Sequence, residues 1–370
     1  MSYVKFLKGV NMKILVVGDV HWSQYSSILR KRGKKYSYRL ENLIQSVNYV
    51  ENLSYASDCD LIVYLGDFFD RAEINSEELS ALKEIKWSNK QHYFLVGNHE
   101  AGRCNLLYNS ANVFGIADFN VIERVTPLYI DNHDRILFIP YILEENRLPL
   151  KKYFELLDDN EYQPNKTIIF SHNDIKGIQM GQFISKEGFS IEEIQNNCNL
   201  FLNGHLHNGT KVAEGIINVG NLTGQNFSED AFIYDHSVIV LDTTDLSCAV
   251  YPNIYALNFY KLDFITNNDI DYINKVSSEM KSNCIATIKC YEDDLDYLRK
   301  RFDPSCRDDL IPYNCNMVET RFIVQSKNIK TIKDKEEIVS INHLDQFKEY
   351  MIKLYGKNDI LMKELQEVCK

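Results

Sequence analysis

Five short apolar runs, each leading through a glycine or serine into side chains that can bind metal, constrain this chain more than any other feature. They read KILVVGDVH, LIVYLGDFFDR, HYFLVGNHE, TIIFSHND and LFLNGH. Continuous β-branched and aromatic runs of this length belong to strands buried on both faces. Between the first two lies YRLENLIQSVNYVENLSYA, with Leu40, Leu43, Ile44, Val47 and Val50 at helical spacing. Between the second and third, NSEELSALKEIKWSN opens with an Asn or Ser cap and glutamates in its first turn. This strand–helix–strand alternation predicts an α/β fold with parallel strands. In such sheets ligands bind beyond the carboxyl ends of the strands, and all five polar clusters fall there.

The predicted rim gathers Asp19, His21, Asp67, Asp70, Asn98, His99, Glu100, His172, Asn173, Asp174, His205 and His207. On extended backbone the spacing of His205 and His207 lets both imidazoles leave one face. Mixed imidazole and carboxylate donors suit manganese, iron or zinc better than calcium or magnesium alone. The donors outnumber the needs of one ion. Two ions sharing a carboxylate would supply a hydroxide nucleophile and clamp both non-bridging oxygens of a phosphoryl group.

Composition narrows the class. The chain has 370 residues, 45% hydrophobic and 25% charged, as expected of a globular protein with a large domain and a smaller one. Its nine cysteines form no CxxC pair and MKILVV is too short for a signal peptide, so reduced thiols and a cytoplasmic location are expected. No apolar stretch approaches the ~20 residues needed to span a bilayer. A net charge of −11 weighs against nucleic acid as a partner, but RKRGKKYSYR packs six basic residues and two tyrosines into Arg30–Arg39. That run reads either as a solvated loop or as a phosphate contact through Arg30, Arg32, Lys34, Lys35 and Arg39, with aromatic stacking nearby.

GDVH, GDFFDR, GNHE, SH and GHLH match, in order, the five motifs of the calcineurin-like metallophosphoesterases, and the resemblance spans residues 12–250. It implies a sandwich of two mixed β-sheets flanked by helices, so the parallel reading would hold only locally. It also implies two divalent cations, with manganese expected and magnesium, iron or zinc open. Asp19, His21, Asp67 and His207 would hold one ion; a bridging Asp67 with Asn98, His172 and His205 would hold the other. By the same resemblance His99 would give a proton to the leaving oxygen or stabilise the transition state, and Glu100 would stand behind it and orient it. Asp70 reads as a partner to a ligand or as a plain cap.

Within the superfamily, Trp22 and the pair Arg71-Ala72 depart from the protein phosphatases, which carry Gly and Arg-Gly there. The basic insertion between His21 and Asp67, the SHNDIKG segment and an added C-terminal piece instead resemble the SbcD-like DNA-repair nucleases and related phage recombination endonuclease subunits. The expected layout is an N-terminal extension (1–11), a catalytic domain (12–255), an α+β capping domain (256–338) and C-terminal helices (339–370). Leu344, Phe347, Met351 and Leu354 stripe the first of those helices, and Leu361, Leu365 and Val368 the second. Both stripes would pack on the cap or dock on an SbcC-like coiled-coil ATPase. The resemblance implies a DNA exonuclease or endonuclease in repair or recombination, with a homodimer usual in that branch. A phosphodiesterase or phosphatase for small or protein-borne phosphates is the alternative.

Overall fold

The computed structural model describes residues 12–102, 108–115, 119–130, 135–157, 162–180, 183–266, 269–306 and 317–326. The N-terminal extension and the two C-terminal helices expected from sequence lie outside the described residues. By its contacts the chain falls into a unit ending at Gln325 and a second from Ser326 onward. The first unit carries both large sheets, the cap and the rim of candidate donors.

Two six-stranded sheets form the body. The first runs, edge to edge, Cys248–Pro252, Ser237–Asp242, Lys13–Val17, Leu61–Tyr64, Gln91–Leu95 and Asn120–Ile122. The second runs Thr210–Ala213, Ile216–Asn218, Leu200–Asn203, Thr167–Ser171, Arg135–Ile139 and Thr126–Tyr129. Each has four adjacent parallel strands and antiparallel strands at its margins. These are the two mixed sheets that the family resemblance implies, and the parallel reading holds only for the four adjacent strands in each. The five motif-bearing strands sit in the parallel parts, three in the first sheet and two in the second, so their carboxyl ends share one rim.

Why those strands are apolar on both faces is visible in the packing. Alternate residues such as Ile14, Val16, Val63 and Leu95 meet Phe138, Phe170 and Leu202 of the other sheet. Their neighbours Leu15, Val17, Ile62, Tyr64 and Phe94 face outward onto Leu40, Leu43, Val47 and Val50 of the helix Tyr38–Ala56. Each such side chain is buried at a gain of ~1.5–3 kcal/mol. That helix matches the periodic stretch read from sequence and is capped by the Ser37 hydroxyl on the Leu40 amide. The next helix spans only Ser76–Leu82, started by a reciprocal Asn75–Glu78 capping box. Lys86–Trp87 lie beyond its end, and the Trp87 ring joins Phe68, Phe94, Phe114 and Phe119.

A smaller parallel sheet comes after these in the chain, in the order Asn258–Asp263, Cys284–Tyr291, Met317–Gln325, with helices Ile270–Glu279 and Leu295–Phe302. This is the α+β cap. One face buries Tyr260, Leu262, Ile288, Leu298 and Phe302, and the other seats Phe259, Ile285 and Val318 on Ile28, Leu29 and Phe227. Among the described residues no helix is long and apolar enough to cross a membrane.

Candidate metal centre

At the shared rim, three residues expected to bind metal adopt a backbone that side-chain-bearing residues rarely use: φ is 50° at His21, 47° at Asp67 and 73° at His205. Such left-handed positions persist where surrounding structure enforces them, and they concentrate at functional sites. The glycines beside them are spacers. A Cβ on Gly66, itself at φ 108°, would lie 2.4 Å from His172 Nδ1, and one on Gly97 would lie 2.1 Å from Asp67 Oδ1. Main chain and donor side chains are packed into direct contact.

The expected ligands form two sets of donors, and His21, Asp70 and His99 form a third group of the same kind. Asp19, His21 and His207 each offer one atom within 4.8 Å of the others, as do Asp67, His172 and His205. In the first set, Asp19 Oδ2 and His21 Nε2 lie 4.0 Å apart, and both are buried without a hydrogen-bond partner among the described residues. A buried polar atom left this way costs ~1–3 kcal/mol; a cation bound by both would remove the cost. In the second set, His172 Nε2 stands 3.2 Å from Asp67 Oδ2 and 3.1 Å from Asn98 Oδ1, while its Nδ1 meets Leu65 O at 2.8 Å. His205 Nδ1 is 3.0 Å from the same Asn98 oxygen. Both His172 nitrogens thus face acceptors. Burial alone would lower its pKa, but the carboxylates, Asp67 foremost, raise it to about 9. With acceptors crowded around His172 and the Asp19 and His21 atoms left unpaired, positive charge is favoured here and the donor set fits a pair of divalent cations.

Behind these donors stand further groups. His21 Nδ1 meets Asp70 Oδ1 at 3.1 Å, so Asp70 is a partner to a candidate ligand and not a cap. His205 Nε2 pairs with Asp174 Oδ1 at 3.3 Å, and His207 Nδ1 with the buried Glu229 Oε1 at 3.2 Å. Sequence reading missed Glu229, which lies in no motif and has no fixed spacing to one. Asn173 has a structural place, its amide tying the Pro140 and Ile142 backbone to its own loop.

His99, 40% exposed, gives its Nδ1–H to Asp70 O at 2.9 Å, which leaves Nε2 available. Glu100 departs from expectation. Its two oxygens accept the amides of Asp67 (3.0 Å), Phe69 (2.8 Å) and Gly97 (2.7 Å), so it braces the loop carrying Asp67 and does not orient His99. Burial, with Asp67 beside it, pushes the Glu100 carboxyl up to about 8 against the pull of the Phe69 and Gly97 amides.

The basic run is largely committed elsewhere. Arg39 is buried and bonds His21 O at 3.1 Å and Gln225 Oε1 at 2.6 Å, which removes it from the substrate-binding set. Arg32 pairs with Glu77 at 2.9 Å and Lys35 with Glu84. Arg30 and Lys34 are exposed.

A hollow of about 550 Å³ opens over the donors, lined by Asp67, Asn98, His99, His205 and His207, with Gln179, Asn208, Ser228 and Tyr234 among its other residues. Residues 12–209 match the family model described as calcineurin-like phosphoesterase. The chain belongs to that family. A curated relative, phosphoesterase 244L by name, of Invertebrate iridescent virus 6, is 24% identical over 256 residues, covering 65% of this chain and 80% of its own length. Solved structures with a looser likeness include an archaeal phosphodiesterase, 12% identical with a TM-score of 0.33 over 65% of this chain and 99% of that one. A dimetal phosphatase from Danio rerio is 14% identical, with a TM-score of 0.39 over 65% and 99%. As a calcineurin-like phosphoesterase, the chain is a metal-dependent hydrolase of phosphate esters.

Proposed function

We propose that this phosphoesterase is a DNA nuclease, an SbcD-like subunit that cleaves phosphodiesters at DNA ends in repair or recombination. The observation that carries the reading is the open hollow over the donors and its neighbour on the cap. Ser228 lines the catalytic hollow, and Phe227, one residue away, lines a second hollow with Lys261, Thr287, Lys289 and Ile323 of the cap sheet. Lys261 and Lys289 are exposed on the sheet face that carries Phe259. By strand geometry their Cα atoms lie ~8 Å apart. A strand with one phosphate at the metal centre and its onward path over the cap would meet Phe227 and two lysines, with Asp263 opposite Lys289.

Bound divalent cations supply, in this family, the water nucleophile and the neutralisation of phosphoryl charge. The chain's own residues do the rest. Asp19, His21, Asp67 and His207 would hold one cation, and Asp67, Asn98, His172 and His205 the other. With Nδ1–H fixed on Asp70 O, Nε2 is the His99 nitrogen from which an imidazolium would give a proton to the departing ester oxygen. The three amides on Glu100 keep Asp67 in its left-handed pose.

The test compares manganese-dependent cleavage of oligonucleotides with that of bis-p-nitrophenyl phosphate, beside His99→Ala and the Lys261→Glu/Lys289→Glu pair. His99→Ala is expected to lose ~10²–10⁴-fold in rate on substrates with poor leaving groups. The lysine pair is expected to lose cleavage of DNA only. Turnover of the small diester with no DNA cleavage by the wild type would sink the nuclease reading. It would favour the second reading, a phosphodiesterase or phosphatase for small or protein-borne phosphates, which the engagement of Arg32, Lys35 and Arg39 supports. The proposed ATPase partner would dock through residues 339–370, and co-purification with and without that segment tests it; sedimentation tests the homodimer.

A further inference from the structure

The segment Gln225–His236 is fastened on both of its sides. Inward, Glu229 is fully buried. One oxygen meets His207 Nδ1 at 3.2 Å and Asn221 Nδ2 at 3.3 Å, and the other accepts the Gln225 amide at 2.9 Å. Outward, the same segment is attached to the cap. Asp230 forms a parallel bridge with Phe259, and the Ala231 amide donates to Phe259 O at 3.1 Å. The Phe232 ring sits edge-on to Tyr260, centroids 4.7 Å apart. Lys281 Nζ donates to Tyr234 O at 2.7 Å and pairs with Asp235 at 2.8 Å.

We infer that Glu229 is a positioning residue for His207, and that the cap, through the strand Asn258–Asp263 and Lys281, holds Glu229 in place. A carboxylate that accepts the Nδ1–H selects one tautomer, leaves Nε2 bare and makes it a stronger donor. His207 belongs to the set with Asp19 and His21, and the His21 ring centroid lies 5.0 Å from its own, so with Nδ1 committed to Glu229 its Nε2 is the nitrogen left to bind metal. His236 packs behind, its Nδ1 bonding Asn221 O at 3.1 Å and its Nε2 4.0 Å from Glu229. Burial lowers its pKa and keeps it neutral, so the Glu229 charge stays directed at His207. Among the described residues the cap contributes no candidate ligand, yet it aims one. This inference rests on the two-cation reading and is independent of DNA as the substrate.

The experiment is a manganese titration of the full chain by calorimetry, with the wild type expected to take up two ions. Glu229→Gln keeps an acceptor but removes the charge, and should weaken one of the two binding steps by ~10–100-fold while sparing the other. Phe232→Ala with Lys281→Ala, which alters the contacts to the cap and removes no donor, should weaken the same step several-fold with near-ultraviolet circular dichroism unchanged. Unaltered affinities in folded Glu229→Gln, or equal losses in both steps, overturn the inference. Should that variant not fold, unaltered affinities in the Phe232/Lys281 pair overturn it instead. A wild-type chain that binds no manganese would bring down the two-cation reading as well.

Discussion

In the donor set of Asp19, His21 and His207, both imidazoles lean on carboxylates, Asp70 and Glu229. In the set of Asp67, Asn98, His172 and His205, one leans on the Leu65 carbonyl and the other on Asp174. The two also settle their charge differently without metal. The first leaves Asp19 Oδ2 and His21 Nε2 unpaired among the described residues; the second takes a proton on His172, held between Asp67 and a backbone carbonyl. A cation entering the first relieves that deficit, although Glu229 and Asp19 also raise the His207 pKa against its burial; one entering the second meets His172, raised to about 9. Similar donors thus give two sites with different resting charge.

The hardest way to break this contrast is Gly66→Ala. A methyl 2.4 Å from His172 Nδ1, at a φ that side chains avoid, should abolish manganese uptake by the second set and cost ~1–3 kcal/mol in unfolding free energy. The first set should still load. Two-step calorimetry with denaturant melts would show it, and equal loss from both sets would dissolve the contrast.

A pH series is expected to act next. Because the His172 pKa is raised to about 9, affinity of the second set should climb about tenfold per pH unit below that value and level off above it. The sign for the metal-free fold is opposite. A raised imidazole pKa stabilises it fully below the unfolded value of ~6.5, and that contribution disappears as pH rises through about 9. The depressed Asp67 carboxyl, drawn down by His172 against its own burial, adds stability above its unfolded pKa, lost on acidification. Competition that is flat in pH would contradict the proton on His172.

Smallest is Asp70→Asn, which leaves the carbonyl that orients His99 intact and removes only the charge behind His21. Manganese affinity of the first set should fall about tenfold, measurable by chelator competition, with the second set unchanged.

Much of this centre was legible because its residues travel in local motifs attached to strands. Apolar runs place the strands, and the glycines mark where backbone and donors must touch, as at Gly66 and Gly97. Asp70 and Asp174 lie inside motifs, so they were visible as candidates. What sequence could not show depends on tertiary direction. Arg39 reads as one more cation in a basic run, yet it is the second residue of the helix Tyr38–Ala56 and turns inward to the His21 carbonyl. Glu100 follows His99 directly, but its side chain turns back to the Asp67 loop. Glu229 sits 22 residues beyond His207 in a loop with no periodicity, and only folding brings the two together. The marginal antiparallel strands came only through the family resemblance and not from the apolar runs, because their pairing is set by return connections and not by composition.

The contact of glycine backbone with the donor side chains also limits how this centre can change. With no slack between Gly66, Gly97 and their neighbours, the cage cannot be widened or narrowed by shifting the main chain. A preference for a different cation would have to come from exchanging donor atoms one for another, within a frame whose dimensions are fixed.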